Sequence, residues 1–155
     1  MESLETIIKD LPVFAGMKPE HVAEIASCAS NIKFEEGHVL FLEGDEANRF
    51  YVVRAGLVAI EMYAAARGRL VVHTVKENEV VGWSWLFPPY RWHFDVRAVE
   101  PTRAIAFDAR CLRGKCDENS VLGYELMKRF ASIMMDRIQA TRIQILDVYG
   151  HAGTR

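Results

Sequence analysis

The residues best equipped for chemistry fall in one stretch, Val80 to Ala98, VVGWSWLFPPYRWHFDVRA. It holds Trp83, Trp85 and Trp92, all three tryptophans of the chain, together with the Pro88-Pro89 pair and the trio Arg91, Trp92, His93. Such a set binds rather than breaks bonds. Indole faces stack on rings or cover apolar surface, while their N–H seeks a polar partner. Arginine and histidine meet anions, and an indole face also attracts a cation. Proline fixes φ, so the Pro-Pro pair holds the loop on a preset path. Two readings stand side by side: a shaped pocket or contact surface, and rings that fill the core.

Bond-making chemistry finds little support. The histidines, His21, His38, His73, His93 and His151, are scattered, with no Ser-His-Asp order and no metal-ligand spacing. Cys28, Cys111 and Cys116 are odd in number and contain no Cys-x-x-Cys pair. That argues against a disulfide framework and for buried free thiols in a reducing cytoplasm. The chain is therefore expected not to be an enzyme and to carry no metal and no cofactor.

The elements that must position the tryptophans can be read from period and punctuation. At 155 residues, half of them apolar, the chain is expected to form one domain over residues 1–150 with a five-residue tail, 151–155. A net charge of −2 provides no overall pull toward nucleic acid or anionic lipid, and no apolar run approaches the length of a membrane span. Leu4, Ile7, Ile8 and Leu11 have helical spacing, stopped by Pro12. A second helix follows Pro19, with Val22, Ile25 and Ala26 inward and His21 toward solvent. From Asn31 the rhythm changes to short strands separated by Gly37, Gly44, Gly56 and Gly68. That favours a barrel or sandwich over βαβ units. Phe94–Val99 and Arg103–Phe107 read as two further strands. Asp108 then caps a short helix through Lys115.

The last element is the longest. Asn119 or Ser120 caps a helix to about Tyr149, with Glu125 and Arg129 paired one turn apart. At 1.5 Å per residue it reaches roughly 45 Å, beyond the ~30 Å width of a small domain. Its apolar row, Met127, Phe130, Met134, Ile138, Thr141, Ile145 and Val148, therefore needs a cover. A parallel coiled coil with a second copy is the expected one, so these residues are the expected dimer interface. The competing arrangement folds the helix back on its own barrel.

These features together resemble the cyclic-nucleotide-binding domain family, as in the sensor half of catabolite-activator-type regulators. LPVFAGMKPEHVAEIA is similar to the family's helical lead-in, and FEEGHVLFLEGDEANRFYVVRAGLVAIE to its signature strands. RIQATRIQILD resembles the activators' dimerising helix. The resemblance implies a mainly β fold with flanking helices: a lead-in over 1–30, a jelly-roll β-barrel over 31–107, and helices over 108–150 that include a long dimerisation helix.

It also implies a phosphate-binding cassette in which a Gly-Glu pair holds the ribose and a later Arg, followed by Ser or Thr, holds the cyclic phosphate. Here Gly82 is followed by Trp83. Counting back from Val96-Arg97-Ala98, Trp92 takes the place of the Arg and His93 that of the Ser or Thr. A shift of one residue would offer Arg91. Thr141 and Arg142 fall where the activators' helix touches the purine.

The expectation is a stand-alone regulatory module with a degenerate cassette, bacterial in type. It would bind a non-standard small ligand through Gly82, Trp83, Ser84, Trp85, Arg91, Trp92, His93, Thr141 and Arg142, or else a protein partner. The alternatives are an interaction protein with a Trp-filled pocket and a true cyclic-nucleotide receptor using Arg91. No direct DNA contact is expected, since the activators' helix-turn-helix would need a further stretch of chain after the long helix.

Overall fold

The computed structural model describes residues 2–153. Helix α1 spans Leu4–Asp10, with the Ser3 hydroxyl accepting from the Thr6 amide as its cap. A 3-10 turn, Pro12–Phe14, leads to α2, Pro19–Ala26, which has proline at its first position. Eight strands follow: β1 Ala29–Phe34, β2 Val39–Phe41, β3 Arg49–Ala55, β4 Val58–Ala64, β5 Gly68–Val75, β6 Val80–Val81, β7 Asp95–Ala98 and β8 Thr102–Asp108. Helix α3, Ala109–Glu118, starts on Asp108, whose carboxylate accepts from the Cys111 amide. Helix α4 runs from Ser120 to Gly153. It thus enters the tail expected at 151–155, and residues 154–155 lie outside the described residues.

All strand pairs are antiparallel, in two four-stranded sheets ordered β1-β8-β3-β6 and β2-β7-β4-β5. The expected barrel is therefore a jelly-roll sandwich whose two sheets are not joined edge to edge into a closed ring. The turn glycines read from the sequence all have positive φ. Gly56 has a second constraint, because a Cβ there would stand 2.5 Å from the Pro101 carbonyl oxygen.

The core is organised around Phe50. Its ring is stacked between Trp85, at 4.6 Å and 11°, and Phe107, at 4.6 Å and 7°. Phe130 of α4 stands edge-on to both Phe50 and Trp85, and Phe14 of the 3-10 turn leans on Phe107 at 5.5 Å. Offset and edge-to-face pairs are the favoured geometries for such rings. One cluster thereby ties together the lead-in, the first sheet, the tryptophan loop and α4.

Three expectations need correction. His21 is 6 % exposed rather than solvent-facing. It sits one turn before Ile25, on the face that α2 buries. Cys28 and Cys111 are joined by a disulfide, so only Cys116 is a free thiol. Their spacing of 83 residues conceals the pairing until β8 returns alongside β1. Phe130 is fully buried in its own core and does not belong to an outward row. Helix α4 has two apolar rows. Leu122, Leu126, Phe130 and Ile133 pack inward, and Arg137 continues that row. The other row, Met127, Ala131, Met134, Ile138, Thr141, Ile145 and Val148, alternates steps of four and three, with Ala131 standing where Phe130 was expected. From Ile138 to Gly150 every residue of α4 is exposed.

The inward row should dominate the stability of the single chain. Phe130→Ala is expected to cost about 3–5 kcal/mol in urea unfolding, the usual range for emptying a buried phenyl site. Ile138→Ala, measured at a dilution that keeps the chain monomeric, should cost no more than about 0.5 kcal/mol, as for an ordinary surface change.

Candidate functional site

The cassette stretch begins as β6 leaves the first sheet. Gly82 follows with φ +77°, a 3-10 turn covers Ser84–Leu86, and the chain passes a cis Pro88-Pro89 peptide before rejoining the second sheet as β7. Its return is zipped to the β2–β3 turn. The Trp92 amide donates to the Asp45 carbonyl at 3.0 Å, the Gly44 amide to Trp92 O at 2.8 Å, and the Ala47 amide to Tyr90 O at 2.7 Å. From the other side, Arg113 of α3 donates to Trp85 O at 2.8 Å and lays its guanidinium over the Tyr90 ring at 4.2 Å. The loop is thus held by backbone and cation–π contacts on two faces.

The three tryptophans go to three different places. Trp85 is fully buried in the Phe50 cluster, with an indole N–H that has no partner there. Trp92 is 2 % exposed and stacks on Phe41 at 3.8 Å and 9°, with Phe94 tilted beside it. Its six-membered ring lies on Gly82 so closely that a Cβ at that position would collide with Cζ3. Trp83 is half-buried and faces α4, where the Arg137 guanidinium sits 5.9 Å from its ring centre. Gly82 and Trp92 are therefore brought together, while Trp83 and Trp85 turn to α4 and to the core.

The polar candidates are dispersed. Arg91 is exposed, forms an isolated bridge with Glu46, and donates to the Gly44 carbonyl at 2.9 Å. His93 is exposed, and Ser84 is buried at the start of the 3-10 turn. On α4, Thr141 returns its hydroxyl to Arg137 O, and Arg142 is exposed. The α4 cation that meets the cassette is Arg137. Sequence reasoning did not single it out, yet it continues the spacing of Leu126, Phe130 and Ile133. It also donates to the Val80 carbonyl at 3.3 Å.

Arg137 has a basic neighbour. His73 of β5 has a buried Nε2 without a hydrogen-bond partner. Burial first, and the Arg137 charge second, hold its pKa below the usual imidazole range, against a weaker opposing pull from Glu79. Burial also lowers the Arg137 pKa, again opposed by Glu79. Beside them a cleft of about 460 Å³ opens between Pro12–Val13, the turn at Asn78–Val80 and the Arg129–Arg137 flank of α4. Sequence reasoning also missed Glu61. Its carboxylate is buried on β4 and takes both Nε and Nη2 of Arg97, at 3.0 and 2.9 Å, beside the strand that closes the cassette. Among the described residues, no three His, Cys, Asp or Glu side chains gather as metal ligands would.

Two measurements follow from this geometry. Gly82→Ala is expected to destabilise the fold by about 2 kcal/mol or more, combining the positive-φ penalty with the clash against Trp92. In a Trp92→Leu background the same change should cost only about 1 kcal/mol, the part due to φ. For His73, the unfolded chain binds a proton near pH 6.5, above the depressed folded value. Stability should therefore fall as pH drops below about 6.5. His73→Gln should flatten urea midpoints in that window. The losses from Glu46 and Glu125, whose pKa values are lowered chiefly by hydrogen bonds from Asn48 and Arg129 respectively, should remain at lower pH.

A profile for the cyclic nucleotide-binding domain matches residues 31–119. A solved structure of a putative cyclic nucleotide-binding protein from Geobacter metallireducens aligns with a TM-score of 0.79 and 27 % identity, over 89 % of this chain and 99 % of that one. The chain is also similar to the CRP-like cAMP-activated global transcriptional regulator of Mycobacterium tuberculosis, at 20 % identity over 94 % of this chain and 63 % of the regulator. The anaerobic regulatory protein of Bacillus subtilis is 25 % identical over 83 % of this chain and 54 % of its own length. The chain thus spans less than two thirds of these curated relatives. With its two antiparallel sheets, its lead-in and its long terminal helix, the chain belongs to the cyclic nucleotide-binding domain family.

Proposed function

We propose that this chain is a regulatory module of the catabolite-activator type whose cassette is filled by its own side chain, and that it acts through self-association and a protein partner rather than through a bound cyclic nucleotide. The observation that carries the reading is the Trp92 ring seated on Gly82 and stacked on Phe41. In the family, the residue after this glycine holds the ribose and an arginine at the position of Trp92 holds the phosphate. Here both are indoles. Arg91, the alternative the resemblance offered by a shift of one residue, is engaged with the Gly44 carbonyl on the surface.

A nucleotide entering in the family's mode would have to lift Trp92 out of its place. Exposing such a ring costs about 3 kcal/mol by area, and a buried phosphate left without its charged donors adds several more. Together these amount to a loss of affinity of a thousand-fold and more. The surface offered instead is the outward row of α4, Met127, Ala131, Met134, Ile138, Thr141, Ile145 and Val148. Its alternating steps suit a parallel two-helix seam with a second copy. The relatives named as transcriptional regulators favour a role in regulation.

A second reading has one observation in its favour. Arg137 reaches the barrel at Val80 and Trp83, beside the 460 Å³ cleft. A non-standard anionic ligand could be met there, with Arg137 taking the part expected of Arg142.

Calorimetry with cAMP and with cGMP should give no saturable heat up to about 1 mM, equivalent to less than about 4 kcal/mol of binding. Stoichiometric uptake at micromolar concentration would sink the filled-cassette reading. Sedimentation equilibrium should find a dimer that Ile138→Glu together with Ile145→Glu converts to a folded monomer. A wild-type chain that stays monomeric at all accessible concentrations would remove the α4 seam from the proposal.

A further inference from the structure

The Cys28–Cys111 bond lies apart from the cassette and from the α4 seam, at a mechanical junction. Cys28 stands between α2 and β1, and its carbonyl accepts from the Asp108 amide. Cys111 is in the first turn of α3. From there α3 works as a strut. Arg110 bonds Asn48 and Glu46, Arg113 grips the tryptophan loop at Trp85 O, and the far end abuts α4, where Gly123 packs on Cys116. A covalent tie at the near end of α3 therefore restrains a helix that touches both the cassette and the long terminal helix.

The bond is also reachable. A surface cleft of about 270 Å³, lined by Ser27, Ser30, Arg49 and Asp108 among others, includes both cysteines. Cys111 is half-buried and Cys28 is 7 % exposed. Arg49, exposed at the cleft, brings a positive charge that suits an anionic thiol reagent and a nascent thiolate. A disulfide that small thiols can reach from one side is open to exchange, and a domain of this size with a continuous aromatic core does not need a staple to fold. Cys116 makes the contrast: burial first, then Asp117 and Glu24, push its thiol up to about 11, so it is a poor participant in exchange.

We propose that Cys28 and Cys111 form a reversible thiol–disulfide switch, exchanging with small anionic thiols in the Arg49 cleft and setting how tightly α3 is held against the lead-in. Reduction begins when a small thiolate attacks the sulfur of Cys111, the less buried of the two residues. This forms a mixed disulfide and releases Cys28 as a thiolate, which takes a proton from solvent. A second small thiolate then attacks the mixed disulfide. Cys111 leaves as its thiolate, and the small-molecule disulfide carries away the other two sulfurs. Two electrons pass from two small thiols to the protein; oxidation by the small-molecule disulfide is the reverse.

The full chain, equilibrated without denaturant in glutathione buffers from fully reduced to fully oxidised, tests this. Thiols are trapped by acid, alkylated after unfolding and counted by mass. The expected count falls from three to one across the series, with Cys116 the one that remains. Hydrogen–deuterium exchange in the first turn of α3 and at the α3–α4 junction should be at least about threefold faster in the reduced state. Cys116→Ser should leave the transition unchanged. Cys28→Ser and Cys111→Ser should each show the faster exchange in both buffers. The proposal is overturned if the bond yields only after the chain is unfolded, if oxidised glutathione never pairs the two cysteines, or if exchange in α3 and α4 is the same in both states.

Discussion

The stack of Trp85, Phe50 and Phe107, closed edge-on by Phe130 and flanked by the tilted Phe14, is the contact on which the remaining structure depends. Five rings from five separate segments meet there. Each is a large apolar body whose removal from water is worth about 1.5–3 kcal/mol, before any gain from ring geometry. The stack draws the cassette loop inward at Trp85 and pulls α4 onto the sandwich at Phe130. It does so at the expense of one indole N–H left without a partner, a cost of about 1–3 kcal/mol that the surrounding burial offsets.

Once Trp85 is drawn inward, the rest of the loop has few options. Its neighbours Trp83 and Trp92 fall on opposite sides of the turn: one toward α4 and Arg137, the other toward Phe41. Gly82 is the hinge of this arrangement, since only a residue without a side chain accepts both its backbone and the indole lying on it. Under the proposed reading, apolar stacking at this place stands where the family recognises phosphate; what is observed is the Trp92 ring on Gly82 and Phe41. The charges of the region are instead paired among themselves, as in the bidentate Glu61–Arg97 contact, or bound to backbone, as with Arg91 on Gly44.

The same logic reaches the terminal helix. Its inward row ends in Arg137, which marks where α4 stops being covered by its own domain. From Ile138 to Gly150 the helix is exposed, and its apolar side chains there lie open to solvent in the single chain. The lead-in meets α4 where the Val13 and Ala15 carbonyls accept from Arg129, and meets α3 through the Cys28–Cys111 bond. That makes the tie between Cys28 and Cys111 mechanically consequential.

Much of this was legible in the residues themselves. Turn glycines, the cap at Asp108, the proline start of α2 and the Glu125–Arg129 pair depend on neighbours within a turn. Local rules therefore reach them. That Trp83 and Trp92 stand at the counted cassette positions was an expectation of the resemblance, resting on residue identity alone. Which ring fills which space was not legible: Trp92 on Gly82, Phe130 inward with Ala131 taking its outward place, Arg137 rather than Arg142 at the cassette, Cys28 beside Cys111. Each of these depends on the direction a side chain takes once segments far apart in the chain are packed together, and that direction follows from the space the other segments leave.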